Sequence, residues 1–253
     1  MKNIVIVGGS SGIGLALVQN LKNDRIVNIS RTPCPVSGVV NIQADVTNLK
    51  SLRAAFGKLD AIDVLVYCAG MSLAAPIEFI TEDDLKSIFD VNIIGAIECI
   101  KLAMPNLRKS EIGRIILLSS SGGIAPIPFD GFYSATKSGL IALASSVRLE
   151  SDILSTAVII GGTKTQFTFK RKIYTDCGIY DTKLKAASDA LIKIEQTGYE
   201  ADFTARKITK IINSSDPPVT VAIGAKNKLM CALYKVLPEK IKLYALKKLY
   251  NID

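Results

Sequence analysis

A glycine-rich turn directly after the first apolar segment constrains this chain more than any other feature. Asn3–Val7 is apolar, residues 8–14 place glycines at positions 8, 9, 12 and 14, and an apolar helical pattern follows from Leu15. Glycines permit a tight turn and a close approach of a pyrophosphate, while the N–H groups at a helix start favour negative charge. The pattern predicts a strand–turn–helix unit that binds a dinucleotide.

Short apolar segments and amphipathic stretches alternate along the rest of the chain. Several segments are apolar nearly throughout, as is typical of parallel strands covered on both faces. The predicted strands are Asn3–Val7, Arg25–Ser30, Gly38–Ile42, Ile62–Tyr67, Gly113–Ser119, Thr156–Ile160 and Val219–Ile223. The predicted helices are Ile13–Lys22, Asn48–Gly57, Glu82–Asn106 and Phe132–Asp152. The series predicts one α/β domain with a parallel sheet.

Residue counts exclude several kinds of chemistry. The 253 residues include no histidine, which excludes a Ser-His-Asp triad, an HExxH zinc site and any imidazole base. The five cysteines are far apart and never in CxxC spacing, so neither a disulfide framework nor a metal site is expected. No segment reaches the roughly 18 consecutive apolar residues of a membrane span. Since Met1 and Lys2 lead directly into the first strand, we expect a cytoplasmic protein.

Positive charge is concentrated at the C-terminal end. The net charge is +8, and seven lysines against two acidic residues place +5 of it in the last 30 residues. The remaining +3 is no signature of nucleic-acid binding. Lysines and apolar residues alternate over 228–237 and 238–250 in a way that predicts amphipathic helices. Such helices can lie on an anionic membrane surface, or can pack over a substrate cleft or a neighbouring subunit.

Residues with acid–base chemistry occur in a regular order after the glycine turn. Tyr133 and Lys137 form a YxxxK pair, which places both side chains on one face of a helix. Ser120 lies thirteen residues before Tyr133 at the end of an apolar strand, and Asn92 lies within a predicted helix. A free tyrosine has a pKa near ~10, and a lysine ammonium beside it favours the phenolate. Tyr133 is therefore the candidate acid/base of a protein without histidine.

Two shorter motifs complete a family pattern. Asp45 precedes Val46 after the third strand, and Cys68-Ala69-Gly70 follows the fourth. With the glycine order G-x-x-x-G-x-G and the YxxxK pair, residues 3–224 resemble the short-chain dehydrogenase/reductase family. The resemblance implies a single Rossmann-type, doubly wound parallel sheet of about seven strands in the order 3-2-1-4-5-6-7. This domain spans 1–224 with a substrate loop near 162–200, and a basic helical tail covers 225–253.

The resemblance also implies roles for individual residues. Tyr133 would exchange a proton with the substrate oxygen, Ser120 would hydrogen-bond that oxygen, and Asn92 would hold a water beside Lys137. The implied cofactor contacts are Gly8, Ser10, Ser11, Gly12, Ile13, Gly14, Ser30, Arg31, Thr32, Asp45, Val46, Cys68, Ala69, Gly70, Tyr133, Lys137, Gly162, Thr163 and Thr165.

The chain departs from the family pattern in three places. Val7 stands where the family often has threonine, and Cys68 stands where asparagine is usual. Gly161-Gly162 replaces the usual Pro-Gly after strand six, so that the alignment of Thr163 and Thr165 with the nicotinamide is uncertain by one residue.

The end of the second strand indicates which dinucleotide is bound. An NAD enzyme usually has an acidic residue there, which binds the ribose 2′-OH and repels a 2′-phosphate. This chain has Ser30 at that position, and Arg31 follows with a guanidinium suited to a phosphate. The sequence favours NADP(H) over NAD(H). The alternative, in which Arg31 is only a solvated loop charge, stays open.

These features predict an NADP-dependent oxidoreductase that interconverts a carbonyl and an alcohol. Apolar residues between Gly122 and Phe132 favour a hydrophobic small molecule as substrate, and the resemblance implies a homodimer or homotetramer. A dinucleotide-binding sensor or scaffold without turnover is one alternative, although it would not need the proton relay. An acyl-carrier-protein ketoreductase is another, although those enzymes generally end soon after strand seven.

Overall fold

A parallel sheet of seven strands forms the centre of the computed structural model, which describes residues 1–253. The strands are β1 (Asn3–Val7), β2 (Arg25–Ser30), β3 (Val40–Gln43), β4 (Val64–Tyr67), β5 (Arg114–Ser120), β6 (Leu154–Ile160) and β7 (Thr220–Ala222). Their order is β3-β2-β1-β4-β5-β6-β7, and every pair is parallel. The predicted α/β class and strand order are confirmed.

Nine α-helices connect or follow the strands. They are α1 (Gly12–Asn20), α2 (Leu49–Phe56), α3 (Glu82–Phe89), α4 (Gly95–Leu107), α5 (Gly131–Glu150), α6 (Asp181–Gln196), α7 (Ala201–Ile212), α8 (Ala225–Val236) and α9 (Glu239–Tyr250). In none of them are length and apolar character sufficient for a membrane crossing.

Alternate residues of each central strand belong to two different cores. Val5 and Val7 of β1 pack in a cluster with residues of α2, α4 and α5. Ile4 and Ile6 of the same strand pack in a second cluster with residues of α1 and α7. Because side chains alternate along a strand, burial on both faces requires the continuous apolar runs seen in the sequence. The glycine turn thus lies at the carboxyl end of β1, where the sheet order reverses direction.

The predicted helix Glu82–Asn106 is interrupted. It consists of α3, a π-helical turn over Asp90–Ile94, and α4. The turn contains Asn92, whose side chain is fully buried and hydrogen-bonded to the backbone of Met71. An extra residue in one helical turn is typical of functional sites, and the apolar periodicity of the sequence does not reveal it.

The substrate loop is anchored at both ends. Thr163–Lys164 pairs in parallel with Tyr199–Glu200, and Lys172–Ile173 pairs with Leu73–Ala74. The loop also contains α6, which packs against α9 of the C-terminal tail. The tail therefore forms part of the wall on the substrate side of the molecule.

Candidate active site

Helix α5 carries the YxxxK pair next to the end of β5. The Lys137 ammonium lies 5.5 Å from the centre of the Tyr133 ring, and it donates a 2.9 Å hydrogen bond to the Leu118 carbonyl. Ser119 donates to the Lys137 carbonyl at 2.7 Å, which fixes the strand against the helix. The predicted helical spacing is present and sets the positions of both side chains.

Ser120 ends β5 beside the phenol of Tyr133. Its hydroxyl accepts a 3.0 Å hydrogen bond from the N–H of Gly122 and lies within hydrogen-bonding reach of Tyr133. The structure thus brings Ser120, Tyr133 and Lys137 together, as the sequence predicts. A carbonyl oxygen placed between Ser120 and Tyr133 would have two hydroxyl donors.

Burial has the largest effect on the pKa values of Tyr133 and Lys137. It raises the pKa of Tyr133, and the charges of Asp130 and Glu195 raise it further, whereas the Ser120 hydrogen bond lowers it. Burial also lowers the pKa of Lys137 to about 8. We expected the ammonium to move the phenol pKa downward, and this expectation is wrong for the ligand-free site because loss of solvation is the larger effect. Tyr133 is therefore a protonated phenol at neutral pH.

Asn92 connects the site to its surroundings through its side-chain amide. The amide nitrogen donates to the Met71 carbonyl at 2.9 Å and to the Thr136 hydroxyl at 3.0 Å. Its oxygen accepts from the Met71 N–H at 2.8 Å. Since these bonds occupy the side chain, Asn92 positions the segment after β4 against α5.

The glycine turn is as tight as its sequence predicts. Gly8 has a φ of +89°, and a Cβ there would lie 2.8 Å from the Ala69 nitrogen. A Cβ on Gly14 would lie 2.1 Å from the Gly8 oxygen, so this glycine lets α1 pack directly on the turn. At Gly12, by contrast, the nearest atom to such a Cβ is 3.8 Å away, on Thr165. The turn is therefore tightly packed at Gly8 and Gly14, whereas Gly12 has only an ordinary contact with Thr165.

The other residues of the turn are compatible with phosphate binding. Ser11 is the N-cap of α1, and its side chain makes no capping hydrogen bond. Ile13 packs on the core cluster beneath the helix. Ser10 accepts a 3.1 Å hydrogen bond from the Thr32 hydroxyl. The start of α1 thus presents N–H groups, a positive dipole end and a free hydroxyl, which suit a pyrophosphate.

The end of β2 is followed by one charged side chain without an ion-pair partner, that of Arg31. Ser30 donates to the Thr32 carbonyl at 2.5 Å and accepts from Asn28 at 2.9 Å. The Arg31 carbonyl accepts a 3.0 Å hydrogen bond from Gln43. The Arg31 side chain is exposed and forms no ion pair. Its guanidinium is free to meet a phosphate next to the glycine turn.

The ends of β3 and β4 complete the cofactor side of the cleft. The Asp45 carboxylate accepts from the N–H and the hydroxyl of Thr47 at 2.9 and 2.8 Å, and Val46 packs against the start of α4. Burial raises the pKa of the Cys68 thiol to about 12. A Cβ on Gly8 would meet Ala69, and a Cβ on Gly70 would lie 3.4 Å from the Lys137 ammonium, so this segment packs between the glycine turn and Lys137.

The three predicted cofactor contacts in the substrate loop, Gly162, Thr163 and Thr165, have different neighbours in the structure. Thr165 lies next to Gly12 and so reaches the glycine turn. The Thr163 hydroxyl instead donates to the Gly161 carbonyl at 3.1 Å and lies 3.5 Å from the Thr204 hydroxyl. The Thr163 side chain therefore faces α7, and a contact between Thr163 and the nicotinamide stays a prediction from the sequence. A Cβ on Gly162 would lie 2.4 Å from the Ile194 oxygen, so this glycine serves close packing.

Four residues of the site were missed by the sequence analysis. The Phe167 ring lies 5.9 Å from the Tyr133 ring, and Tyr250 of α9 is buried in a cluster that also contacts Tyr133. Asp130 and Glu195 act on the phenol through their charge. The sequence places Tyr250 in a predicted tail helix but gives it no role at the site. Asp130, which directly precedes α5, joins Phe167 and Glu195 at the site through tertiary packing, which no local pattern displays.

Known proteins resemble this chain in sequence and in fold. The sequence profile of a family described as short chain dehydrogenase matches residues 2–173. A Bacteroides thetaiotaomicron protein named 3-ketodihydrosphingosine reductase is 30% identical over 263 aligned positions, which cover 98% of each chain. A Burkholderia cenocepacia short chain dehydrogenase in complex with NADP has a TM-score of 0.78 at 16% identity, covering 96% of each chain. A Burkholderia phymatum relative in complex with NAD has a TM-score of 0.80 at 17% identity, covering 96% of this chain and 95% of that one.

Proposed function

The chain belongs to the short-chain dehydrogenase family of oxidoreductases, and we propose that it reduces a ketone to an alcohol with NADPH. The observation that carries the proposal is the convergence of Ser120, Tyr133 and Lys137, with Gly70 in close approach to the Lys137 ammonium. The glycine turn and the uncapped start of α1 fit the phosphates of a dinucleotide that leads to this point.

The protonation of Tyr133 supports the reductive direction. When bound, the nicotinamide supplies the hydride that forms the new C–H bond at the carbonyl carbon. The electron pair of the C=O π bond takes the proton from the Tyr133 hydroxyl, so that a phenolate remains. Ser120 hydrogen-bonds the same oxygen, and the Lys137 ammonium stabilises the phenolate. Burial raises the pKa of Tyr133, so the phenol holds its proton at neutral pH and has one to give to the carbonyl oxygen.

Arg31 supports NADPH as the cofactor. Its guanidinium is exposed, unpaired and adjacent to the turn that would hold the phosphates. No acidic side chain follows β2 to bind a ribose 2′-OH. Relatives of this fold include an NADP complex and an NAD complex, so the preference proposed for this chain depends on Arg31 and Ser30.

We propose a long-chain lipid ketone as the substrate. Tyr133 packs in a cluster with Ile127, Phe129 and Tyr250, so one wall beside the phenol is apolar. The relative that matches 98% of the chain is named for a long-chain ketone. Turnover of a lipid ketone would distinguish the proposed function from its two alternatives, a sensor without turnover and an acyl-carrier-protein ketoreductase.

A substrate panel tests the proposed function. Oxidation of NADPH at 340 nm is measured with 3-ketodihydrosphingosine, a short aliphatic ketone and a 3-ketoacyl thioester. We expect the highest kcat/KM with the long-chain ketone. The highest kcat/KM with the thioester would favour the carrier-protein alternative, and tight NADPH binding without oxidation of NADPH by any compound would favour the sensor.

We further propose that the C-terminal tail contacts an anionic membrane surface. Leu229, Val236 and Tyr244 of α8 and α9 are 61, 76 and 62% exposed, and seven lysines accompany them. A second copy would bring one tail of charge +5 against another, whereas anionic lipid neutralises it. The buried Tyr250 at the end of α9 would then place the substrate cleft near the membrane.

Co-sedimentation with anionic vesicles tests the tail. The Lys235→Glu, Lys240→Glu double variant changes two exposed lysines, and Lys22→Glu, Lys50→Glu is the matched control on another surface. At ~1 kcal/mol for each lysine, the tail variant should bind at least about 30-fold more weakly and the control little differently. Equal binding by both variants would reject a membrane role.

A homo-oligomer built on α4 and α5 stays a proposal from family resemblance. Ile94 and Leu149 are large apolar side chains left exposed next to these helices. Light scattering after gel filtration would show a dimer or tetramer that dissociates in Leu149→Lys. A monomeric wild type would end this proposal. A cytoplasmic location likewise stays a prediction from the sequence.

A further inference from the structure

A cluster of buried polar side chains lies beside Tyr133 on the side away from the glycine turn. Asp130 immediately precedes α5, Arg171 belongs to the substrate loop, and Ser188 and Glu195 lie on α6. The side chains of Asp130 and Arg171 are each 2% exposed. Three separate segments therefore bring charged groups into one interior position, which requires compensation for lost solvation.

The cluster is incompletely hydrogen-bonded. Asp130 Oδ1, Arg171 Nε, Ser188 Oγ and Glu195 Oε2 are buried and have no partner. Only one other buried side-chain atom of the chain, Thr209 Oγ1, shares this condition. Arg171 links these segments, since it lies close to Asp130 and to the Ser188 carbonyl and its charge acts on Glu195. Because buried polar groups in folded proteins are nearly always paired, four unpaired atoms on segments around one guanidinium point to ligand binding.

The charged groups do not satisfy one another. Arg171 Nη1 lies 3.8 Å from Asp130 Oδ2, beyond hydrogen-bonding distance, and Arg171 Nη2 makes only a 3.5 Å bond to the Ser188 carbonyl. Asp130 Oδ2 accepts a 2.7 Å hydrogen bond from Ser72 instead. The opposite carboxylate oxygen of Asp130 is thus available to a ligand.

The charge balance indicates what the missing partner is. Two carboxylates stand against one guanidinium, and each carboxylate has an unpaired buried oxygen. Burial raises the pKa of Asp130 to about 6, which leaves it ionised at neutral pH. The chain nowhere groups three His, Cys, Asp or Glu side chains as a metal ion would require. An ammonium group supplies both the positive charge and several N–H donors.

The cluster is close to the reacting position. The charges of Asp130 and Glu195 raise the pKa of the Tyr133 phenol. The charge of Asp130 also raises the pKa of Tyr250, and the charge of Arg171 lowers it. Phe129, which precedes Asp130, has a φ of +60°, a strained conformation for a large residue. The strained residue Phe129 thus lies directly before Asp130, whose side chain belongs to the cluster.

We propose that Asp130, Ser188 and Glu195 form a subsite for the protonated amino group of an amino-ketone substrate, with Arg171 setting the position of Asp130. The inference rests on the proposed ketone reduction and narrows its substrate class. A ketone with an amino group near its carbonyl would present the carbonyl to Ser120 and Tyr133 and the ammonium to the unpaired carboxylate oxygens.

Matched substrates test the subsite. The kcat/KM with NADPH is measured for a long-chain 2-amino-1-hydroxy-3-ketone and for the same ketone without its amino group. Loss of a charge-assisted hydrogen bond predicts a preference of about 10- to 100-fold for the amino ketone in the wild type. Asp130→Asn and Glu195→Gln should each reduce this ratio at least tenfold. Asp189→Asn, an exposed change on the same α6, should leave the ratio unchanged.

A binding measurement separates the subsite from the reaction. Calorimetry gives the Kd of the amino alcohol product and of its amine-free analogue for the NADPH-free wild type and for Glu195→Gln, in case Asp130→Asn does not fold. Amine-selective binding without turnover would support the subsite and overturn the proposed reaction. Turnover or binding of both compounds without amine selectivity, or equal losses for both in the variants, would overturn the subsite and leave a structural cluster.

Discussion

The cofactor side and the substrate side of the cleft are built on different principles. On the cofactor side, polar side chains are paired locally, as in the bonds from Gly9 N–H to Asn28 and from Asn28 to Ser30. On the substrate side, four buried polar atoms from 130–195 have no partner. A dinucleotide is held by backbone N–H groups and close glycine contacts, whereas a substrate is recognised by side chains. Under the proposed subsite, specificity for the substrate resides where the fold leaves buried charges unpaired.

The largest expected effect is the loss of activity when Tyr133, the proton donor between the cofactor side and the substrate side, is replaced. Tyr133→Phe removes the proton donor without changing the volume of the ring, so kcat should fall by about 10²- to 10⁴-fold. The Kd for NADPH should stay near the wild-type value, because the glycine turn is unaffected. Tyr244→Phe, on the exposed tail, is the control. If Tyr133→Phe retained wild-type kcat, Tyr133 would be a packing residue only.

The next effect tests how rigid the cofactor side is. Gly14→Ala places a Cβ 2.1 Å from the Gly8 oxygen, so the turn has to move. Unfolding in urea should show a loss of about 3 kcal/mol, together with weaker NADPH binding. Gly131→Ala is the matched control, since its nearest contact is an ordinary 3.9 Å. Equal stability of the two variants would contradict a closed turn.

Cofactor preference gives a smaller and more selective effect. Arg31→Ala should weaken NADPH by about 1.5–3 kcal/mol, or roughly one to two decades, and should leave NADH nearly unchanged. Ser30→Asp should move the preference toward NADH, because a carboxylate repels a 2′-phosphate. Fluorescence titration with both cofactors measures these changes. Equal losses for the two cofactors would make Arg31 a structural residue.

The buried Lys137 ammonium should lower the free energy of unfolding, although the proposed reaction needs its charge. Its folded-state pKa of about 8 lies below the ordinary 10.5, so the unfolded chain binds more protons between these pH values. Stability of the wild type therefore rises with pH across this window, and the penalty is fully present below pH 8. Lys137→Met should be more stable by about 2 kcal/mol at pH 7, with a difference that shrinks toward pH 10.5. Urea unfolding at both pH values measures this, and a less stable variant at pH 7 would contradict a desolvated ammonium.

The sequence predicts the cofactor side better than the substrate side for a physical reason. Gly8, Gly14 and the Tyr133–Lys137 pair follow local rules of turn geometry and helix spacing, which a sequence displays directly. The cluster of Asp130, Arg171 and Glu195 depends on how the substrate loop packs on α5 and α6, and no local pattern encodes this.

Two features of the site arise from tertiary contacts that the sequence does not display. The Thr163 side chain turns to Thr204 because α7 packs behind it, and the pKa of Tyr133 rises because neighbouring segments bury its ring. Both outcomes depend on tertiary contacts between distant residues. The π-helical turn at Asn92 is a third feature of this kind.

Transfer of deuterium from the cofactor to the product tests the central claim most directly. NADPH labelled with deuterium at one or the other C4 position is incubated with the wild type and a long-chain ketone, and the alcohol is analysed by mass spectrometry. The proposed reduction predicts one deuterium on the carbinol carbon from only one of the two labelled cofactors, and no product with Tyr133→Phe beyond about 1% of the wild-type rate. Undiminished labelled product from Tyr133→Phe, or no labelled alcohol from a wild type that binds NADPH, would contradict it.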